Sequence, residues 1–401
     1  MKQYIQLLKS EPILKKLSTI QLIAYFGAWF SNVAIYTLLL NMGVKPEVVA
    51  FVAMLHFLAG VVQTPFSGAV IDRISPKKLM LSLITTQIVA TFLLVFIDSV
   101  DDLIYLYILI FIKMAAASFY FTTEMSLLPK ILDGKKLQSA NELHSIIWSF
   151  SYTLGMAVSG FVVYLFGVDF AFVFDASMFI VAFFLLKSTP ISLIIEKSNE
   201  SFLSMMGDIF VYLKGNSHAI HLMLVHAFVG LTAFDALVAL MVDNYYASII
   251  ATSLALGLLH ASRALGLVIG PIVLKKFTNN KAMSYIFVAQ ALAVFLWAFV
   301  MENFYLSLFA SILVGLFTTT LWSYTYTLLQ KNVDENYYGR IVAYNDMFFL
   351  GTAAFTSFMI GFLAQNGFSL QSIAAFMACG FVVGGLYFKW IISSQNIKEI
   401  S

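Results

Sequence analysis

The sequence predicts an all-α integral membrane protein whose twelve spanning helices form two halves of six. Three observations carry this. Apolar residues make up 61% of the 401 and charged residues only 11%, with a mean hydropathy of +0.89. A soluble domain carries about 25% charge and roughly 45–50% apolar residues, because its outside must be wetted. The apolar residues also gather into stretches near the ~20 residues that cross a bilayer. Lys and Arg then alternate between successive connections, as the positive-inside rule expects of a chain threaded repeatedly through a membrane.

The first span lies near 19–41, after a start holding Lys2, Lys9, Lys15 and Lys16. It outruns the short apolar core of a signal peptide and no small-residue cleavage site follows, so it reads as retained. Further spans follow near 48–71, 78–98, 103–128, 141–166 and 168–188. The longest polar interval, Thr189 to His218, contains Pro190, Glu196, Lys197, Asn199, Glu200, Asp208 and Lys214. Its middle, Ser201 to Leu213, keeps apolar residues at helical spacing and is expected to lie along the membrane surface. The remaining spans run near 219–242, 250–274, 283–300, 304–330, 341–365 and 370–392. The expected organisation is an N-terminal bundle over 1–188, a cytoplasmic linker over 189–218 and a C-terminal bundle over 219–401.

Basic residues test this count. The two termini and the even-numbered connections hold 20 of the 23 Lys and Arg, and the odd-numbered connections hold only Lys45. Lys113 and Arg263 fall inside spans. Both termini are therefore expected in the cytoplasm of a bacterial inner membrane. The opposite connections are acidic, as at Asp98, Asp101 and Asp102, or neutral, as at Gln365-Asn366-Gly367. Cys379 is alone, which excludes an internal disulfide and a thiolate metal site. The chain has no basic nucleic-acid face, no phosphate-binding Gly-rich loop of the G-x-x-x-x-G-K type and no H-E-x-x-H. No cofactor or metal is implied.

The most specific string joins spans 2 and 3: Gly68-Ala-Val-Ile-Asp72-Arg73-Ile-Ser-Pro-Lys77-Lys78. Glycine lets two helices approach, the acid can accept from a helix N-terminus, and the basic cluster faces the cytoplasm. This resembles the signature loop of the major facilitator superfamily. Other stretches resemble its drug- and siderophore-exporting branch: Gln21 to Phe30, Leu127-Leu-Pro129-Lys130, Leu137-Gln-Ser-Ala-Asn141, Phe174-Asp175-Ala-Ser-Met-Phe179 and Leu328 to Arg340. The resemblance covers nearly the whole chain. It implies the 6+6 pseudo-symmetric facilitator fold, rocker-type alternating access, action as a monomer and a bias toward export. Two positions depart from the pattern. Ala28 stands where an acid usually follows Gly27, and Gly155-Met-Ala-Val-Ser-Gly160 lacks the Gly-Pro pair common in drug–proton antiporters.

Ionisable residues at helix centre cost about 2.5–3.5 kcal/mol on insertion scales, so each needs a reason. Lys113 sits where the resemblance places a basic residue linked to proton movement; a structural ion pair is the alternative. Glu124 lies eleven residues on, on the same face but about 16 Å along the axis, and is a candidate proton acceptor. Asp235 and Arg263 fall at similar depth and are expected to pair, with His260 three residues from Arg263 on one face. Asn32, Tyr36, Trp322, Tyr324 and Tyr326 are expected to line a cavity suited to a bulky, partly apolar ligand. The chain thus reads as a proton-coupled exporter of a small lipophilic or amphipathic molecule. A lysophospholipid flippase on the same fold is the alternative, and a receptor or intramembrane enzyme the remote one.

Overall fold

The computed structural model describes residues 2–71, 73–132, 134–191, 211–334, 337–395 and 397. Every element among them is helical. A short amphipathic helix, α1 (Lys2–Ser10), precedes α2 (Pro12–Asn41), α3 (Pro46–Ile71), α4 (Pro76–Leu93) and α5 (Leu103–Ile131). The helical run Gly134–Lys187 is broken at Gly167, whose φ of 84° and ψ of 173° are not helical. That backbone conformation is open to glycine and strained for other residues. The break yields α6 (134–166) and α7 (168–187). Eleven apolar stretches among the described residues are long enough to cross a membrane. One of them, Ser139–Lys187, is 49 residues long, more than twice the ~20 of a single crossing. Divided at Gly167, it makes the crossings twelve.

The later spans are α10 (Thr252–Val273), α11 (Asn280–Val300), α12 (Phe304–Lys331), α13 (Tyr338–Gln365) and α14 (Leu370–Ser394). The seventh span departs from the single helix expected over 219–242. It consists of α8 (Ser217–Ala227), a 3₁₀ turn (Phe228–Thr232), α9 (Asp235–Met241) and a π turn (Val242–Tyr246). Non-helical backbone at membrane depth is tolerated only where protein satisfies the freed polar groups. Here the Arg263 guanidinium donates from Nη2 to the Thr232 carbonyl at 2.8 Å. The surface stretch expected over Ser201 to Leu213 falls, except for its last three residues, outside the described residues.

The chain divides into two compact units. One comprises 1–43, 62–198 and 253–261, the other 44–61, 199–252 and 262–401. The helices divided between them, α3 and α10, are the second and eighth spans, equivalent positions in a six-plus-six order. The first unit is held by an apolar cluster that includes Leu17, Ile20, Met80, Leu127, Phe179 and Leu186, drawn from α2, α4, α5 and α7. In the second unit Phe287 meets Phe388 at 6.2 Å between α11 and α14, and Trp297 Nε1 donates to Ser307 Oγ at 2.9 Å. Outward faces carry large apolar side chains such as Phe299 (87% exposed) and Ile272 (74%). A surface of that kind needs an apolar solvent.

Candidate functional site

Helix α5 carries both ionisable residues of the first unit that the sequence marks as candidates, Lys113 and Glu124. Lys113 is buried, and its Nζ meets Asp175 Oδ2 on α7 at 2.7 Å. Ser31 on α2 donates its hydroxyl to the same carboxylate oxygen. Gly27, one turn before Ser31, leaves the space in which Asp175 sits, because a Cβ there would run into Oδ1. Three helices thus meet on one ion pair, and taking two opposite charges into a dry interior together is far less costly than taking one. Asp175 Oδ1 has no hydrogen-bond partner, so the carboxylate keeps an unused acceptor inside the bundle.

The second group lies three turns along α5. Glu124 is fully buried, and neither carboxylate oxygen has a hydrogen-bond partner. The Tyr25 and Tyr120 hydroxyls are buried without partners too and are close enough to feel the Glu124 charge. The Gln21 side chain lies near enough to act as a donor to Glu124, but it makes no hydrogen bond to either oxygen, and its amide Nε2 is engaged by His144 Nδ1 at 2.6 Å. The amide can only donate, so that imidazole nitrogen accepts. The His144 ring is flanked by Tyr25 at 5.7 Å and Phe121 at 5.2 Å. This is a buried carboxyl ringed by polar groups from α2, α5 and α6, with several valences unfilled. Such groups inside a membrane are costly and are kept for a purpose.

In the second unit Arg263 lies over the Phe234 ring, 5.1 Å from its centroid, besides serving Thr232. Asp235 opens α9, where a negative charge is favoured by the helix N-terminus. His260 is buried one turn before Arg263 on α10. Of the three rings on α12 expected to line a cavity, Trp322 and Tyr326 come together, stacked at 5.1 Å with planes 20° apart. Tyr324 goes elsewhere: it is buried and donates to Asn280 Oδ1 on α11 at 2.7 Å. A step of two residues turns a helix by about 200°, which sends it to the opposite face. Asn32 and Tyr36 are both buried in α2.

The connection between spans 2 and 3 is tied to the end of α7. Lys77 Nζ donates to the Thr189 carbonyl at 2.6 Å, and Lys16 Nζ to the Ser188 carbonyl at 3.1 Å. Cations suit carbonyls left open at a helix C-terminus. Gly68 lies within α3, and Arg73 and Lys78 are exposed. Asp72 lies outside the described residues.

A model of the Major Facilitator Superfamily matches residues 17–349. The chain belongs to the major facilitator superfamily. Solved transporters share its fold at low identity. Nucleoside transporter NupG matches with a TM-score of 0.72 and 12% identity, over 96% of this chain and 100% of that one. A bacterial homologue of the iron transporter ferroportin matches at 0.74 and 15%, over 96% and 99%. The POT family transporter PepTSo matches at 0.74 and 12%, over 96% and 98%. At these identities the likeness is one of fold. No curated protein matches this facilitator in sequence at a significant level.

Asp175, His144, Gln21 and an aromatic group on α6 escaped the sequence reading as site residues. Trp148 and Tyr152 stack at 5.6 Å, and Trp29 packs edge-on to Tyr152 at 4.7 Å. The four-residue step between Trp148 and Tyr152 was a visible signal. Asp175 lies in the stretch Phe174 to Phe179, but nothing in the sequence ties it to Lys113, 62 positions away.

Proposed function

We propose that this facilitator is a secondary transporter of the bacterial inner membrane that exports a small lipophilic or amphipathic molecule by alternating access. Protons returning through Glu124 reset it. The observation that carries the reading is the buried Glu124 carboxyl with both oxygens unpartnered. A group used only for architecture would be paired, as Asp175 is with Lys113. Glu124 is held instead among hydroxyls and an amide that can stabilise it in either protonation state. A carboxyl of that kind takes up a proton in one conformation and gives it up in another when its access changes. The aromatic faces on α6 and α12 suit a ligand with a large apolar body.

The test is a stabilisation screen on purified protein, reading thermal unfolding against lipophilic drugs, catecholate siderophores and lysophospholipids at two pH values. The expected result is a selective rise with a drug or siderophore that changes with pH, the pH dependence disappearing in Glu124→Gln. Stabilisation by lysophospholipids alone would move the assignment to lipid flipping.

A further inference from the structure

Among the buried polar groups of the second unit that the transport reading leaves without a task, His226 is the titratable one whose surroundings are aromatic. His226 sits at the end of α8, fully buried, and its Nδ1 meets Thr325 Oγ1 on α12 at 2.8 Å. The Thr325 hydroxyl is also 2.7 Å from the Leu321 carbonyl one turn earlier. Two oxygens at that distance repel unless a hydrogen lies between them, so the single hydroxyl proton goes to the carbonyl. Thr325 then accepts from His226, the imidazole proton is on Nδ1, and Nε2 is a bare acceptor. Nε2 has no hydrogen-bond partner.

What surrounds that ring is aromatic. The imidazole lies 5.9 Å from Trp322, 5.5 Å from Tyr326 and 5.6 Å from Phe349, centroid to centroid. A nitrogen lone pair gains nothing from the negative face of a π-system, whereas an N–H would. These rings therefore enclose His226 without satisfying it. The outer sides of the rings are open, with Trp322 39% exposed and Tyr326 and Phe349 half-buried, while Nε2 itself is buried behind them, so a ligand reaches it only by parting these side chains. Trp322, Thr325 and Tyr326 share one face of α12 at three- and four-residue steps.

We infer that His226 Nε2 and the rings of Trp322, Tyr326 and Phe349 form a binding subsite for a flat aromatic amine. The ligand's N–H donates to Nε2, and its ring lies against the stacked Trp322 and Tyr326. Positive charge on the ligand adds attraction to the ring faces. An apolar ligand without a donor fills the same space and leaves Nε2 unpaired. The inference deepens the export reading by naming a substrate class, and it rests on that reading only for its physiological meaning.

The test is equilibrium binding to purified full-length protein, followed by quenching of tryptophan emission. The probes are ethidium, which carries two aromatic amino groups, and ethidium with both amino groups fully methylated. The expected result is that ethidium binds about tenfold or more tightly than its methylated counterpart, the discrimination typical of one charge-assisted hydrogen bond. His226→Leu should bring ethidium down to the methylated level and leave the methylated probe unchanged. Equal affinity of the two probes for the unmodified protein overturns the proposal, and so does equal weakening of both by His226→Leu. If His226→Leu fails to fold, the comparison of probes on the unmodified protein decides alone. Binding is read without a gradient. A protein that discriminates the probes but moves neither across a vesicle would sink the export reading and leave this site standing.

Discussion

Removing the Asp175 charge while keeping its shape, as in Asp175→Asn, leaves Lys113 as an uncompensated cation between α2, α5 and α7. Breaking a buried pair from one side costs about 3–5 kcal/mol. The variant should unfold at markedly lower temperature in detergent, and Lys113→Met combined with Asp175→Asn should recover much of the loss. If the single and double variants unfold alike, the pair is not what holds these helices. Lys113 was legible as a charge in need of a reason, and a structural pair was one of the reasons weighed. Its partner was not legible, because nothing local marks which carboxylate a bundle brings to a given lysine. Gly27 and Ala28 show the physical trade. Where an acid usually follows Gly27 on α2, this chain makes room there for an acid carried by α7. Glu124 was legible as a buried acid, but Gln21, Tyr25, Tyr120 and His144 come from three helices and could only be assembled by the fold. His226 reads in sequence as a packing histidine, and only the hydroxyl geometry of Thr325 shows that one of its nitrogens is unfilled.

Spans are the part of this protein that sequence reports best. Length, apolar content and the placement of Lys and Arg located all twelve, mostly within a few residues of the observed helices. Exceptions have physical causes. Helices α2 and α6 each begin about two turns earlier than expected, because a helix continues past the membrane boundary into polar sequence. The break in the seventh span was hidden, since an apolar run looks alike whether its backbone is helical or not. Arg263 explains why the break survives. Its backbone is fixed by close contact between α10 and α12, where Gly266-Leu-Val-Ile-Gly270 lies against the backbone of Ile312 and Leu316 and Gly315 against the carbonyl of Arg263. Small residues at four-residue spacing allow such approach. Arg263→Ala should leave the Thr232 carbonyl with only the Phe234 amide as donor, and the lost charge-assisted hydrogen bond costs about 1.5–3 kcal/mol. Hydrogen exchange of the amides in 228–241 should rise in that variant while exchange in α14 stays unchanged. Equal acceleration in both would mean that the arginine supports the whole unit rather than the broken span.

At the scale of the molecule, twelve crossings and an apolar exterior define a multi-pass membrane protein, and the family match makes it a facilitator built for transport. Each unit holds its own kind of candidate site. The first has an ion pair and a buried carboxyl with open valences, the second an aromatic group around a histidine acceptor. Direction, coupling and cargo follow from how those sites are used, and coupling is the claim that most of the account depends on. The decisive measurement is uptake of ethidium into proteoliposomes driven by an imposed pH gradient, comparing the unmodified protein with Glu124→Gln. The account predicts accumulation that collapses when the gradient is dissipated, and loss of gradient-driven accumulation in Glu124→Gln, with downhill exchange of ethidium retained. Gradient-driven accumulation that survives unchanged in Glu124→Gln would contradict it.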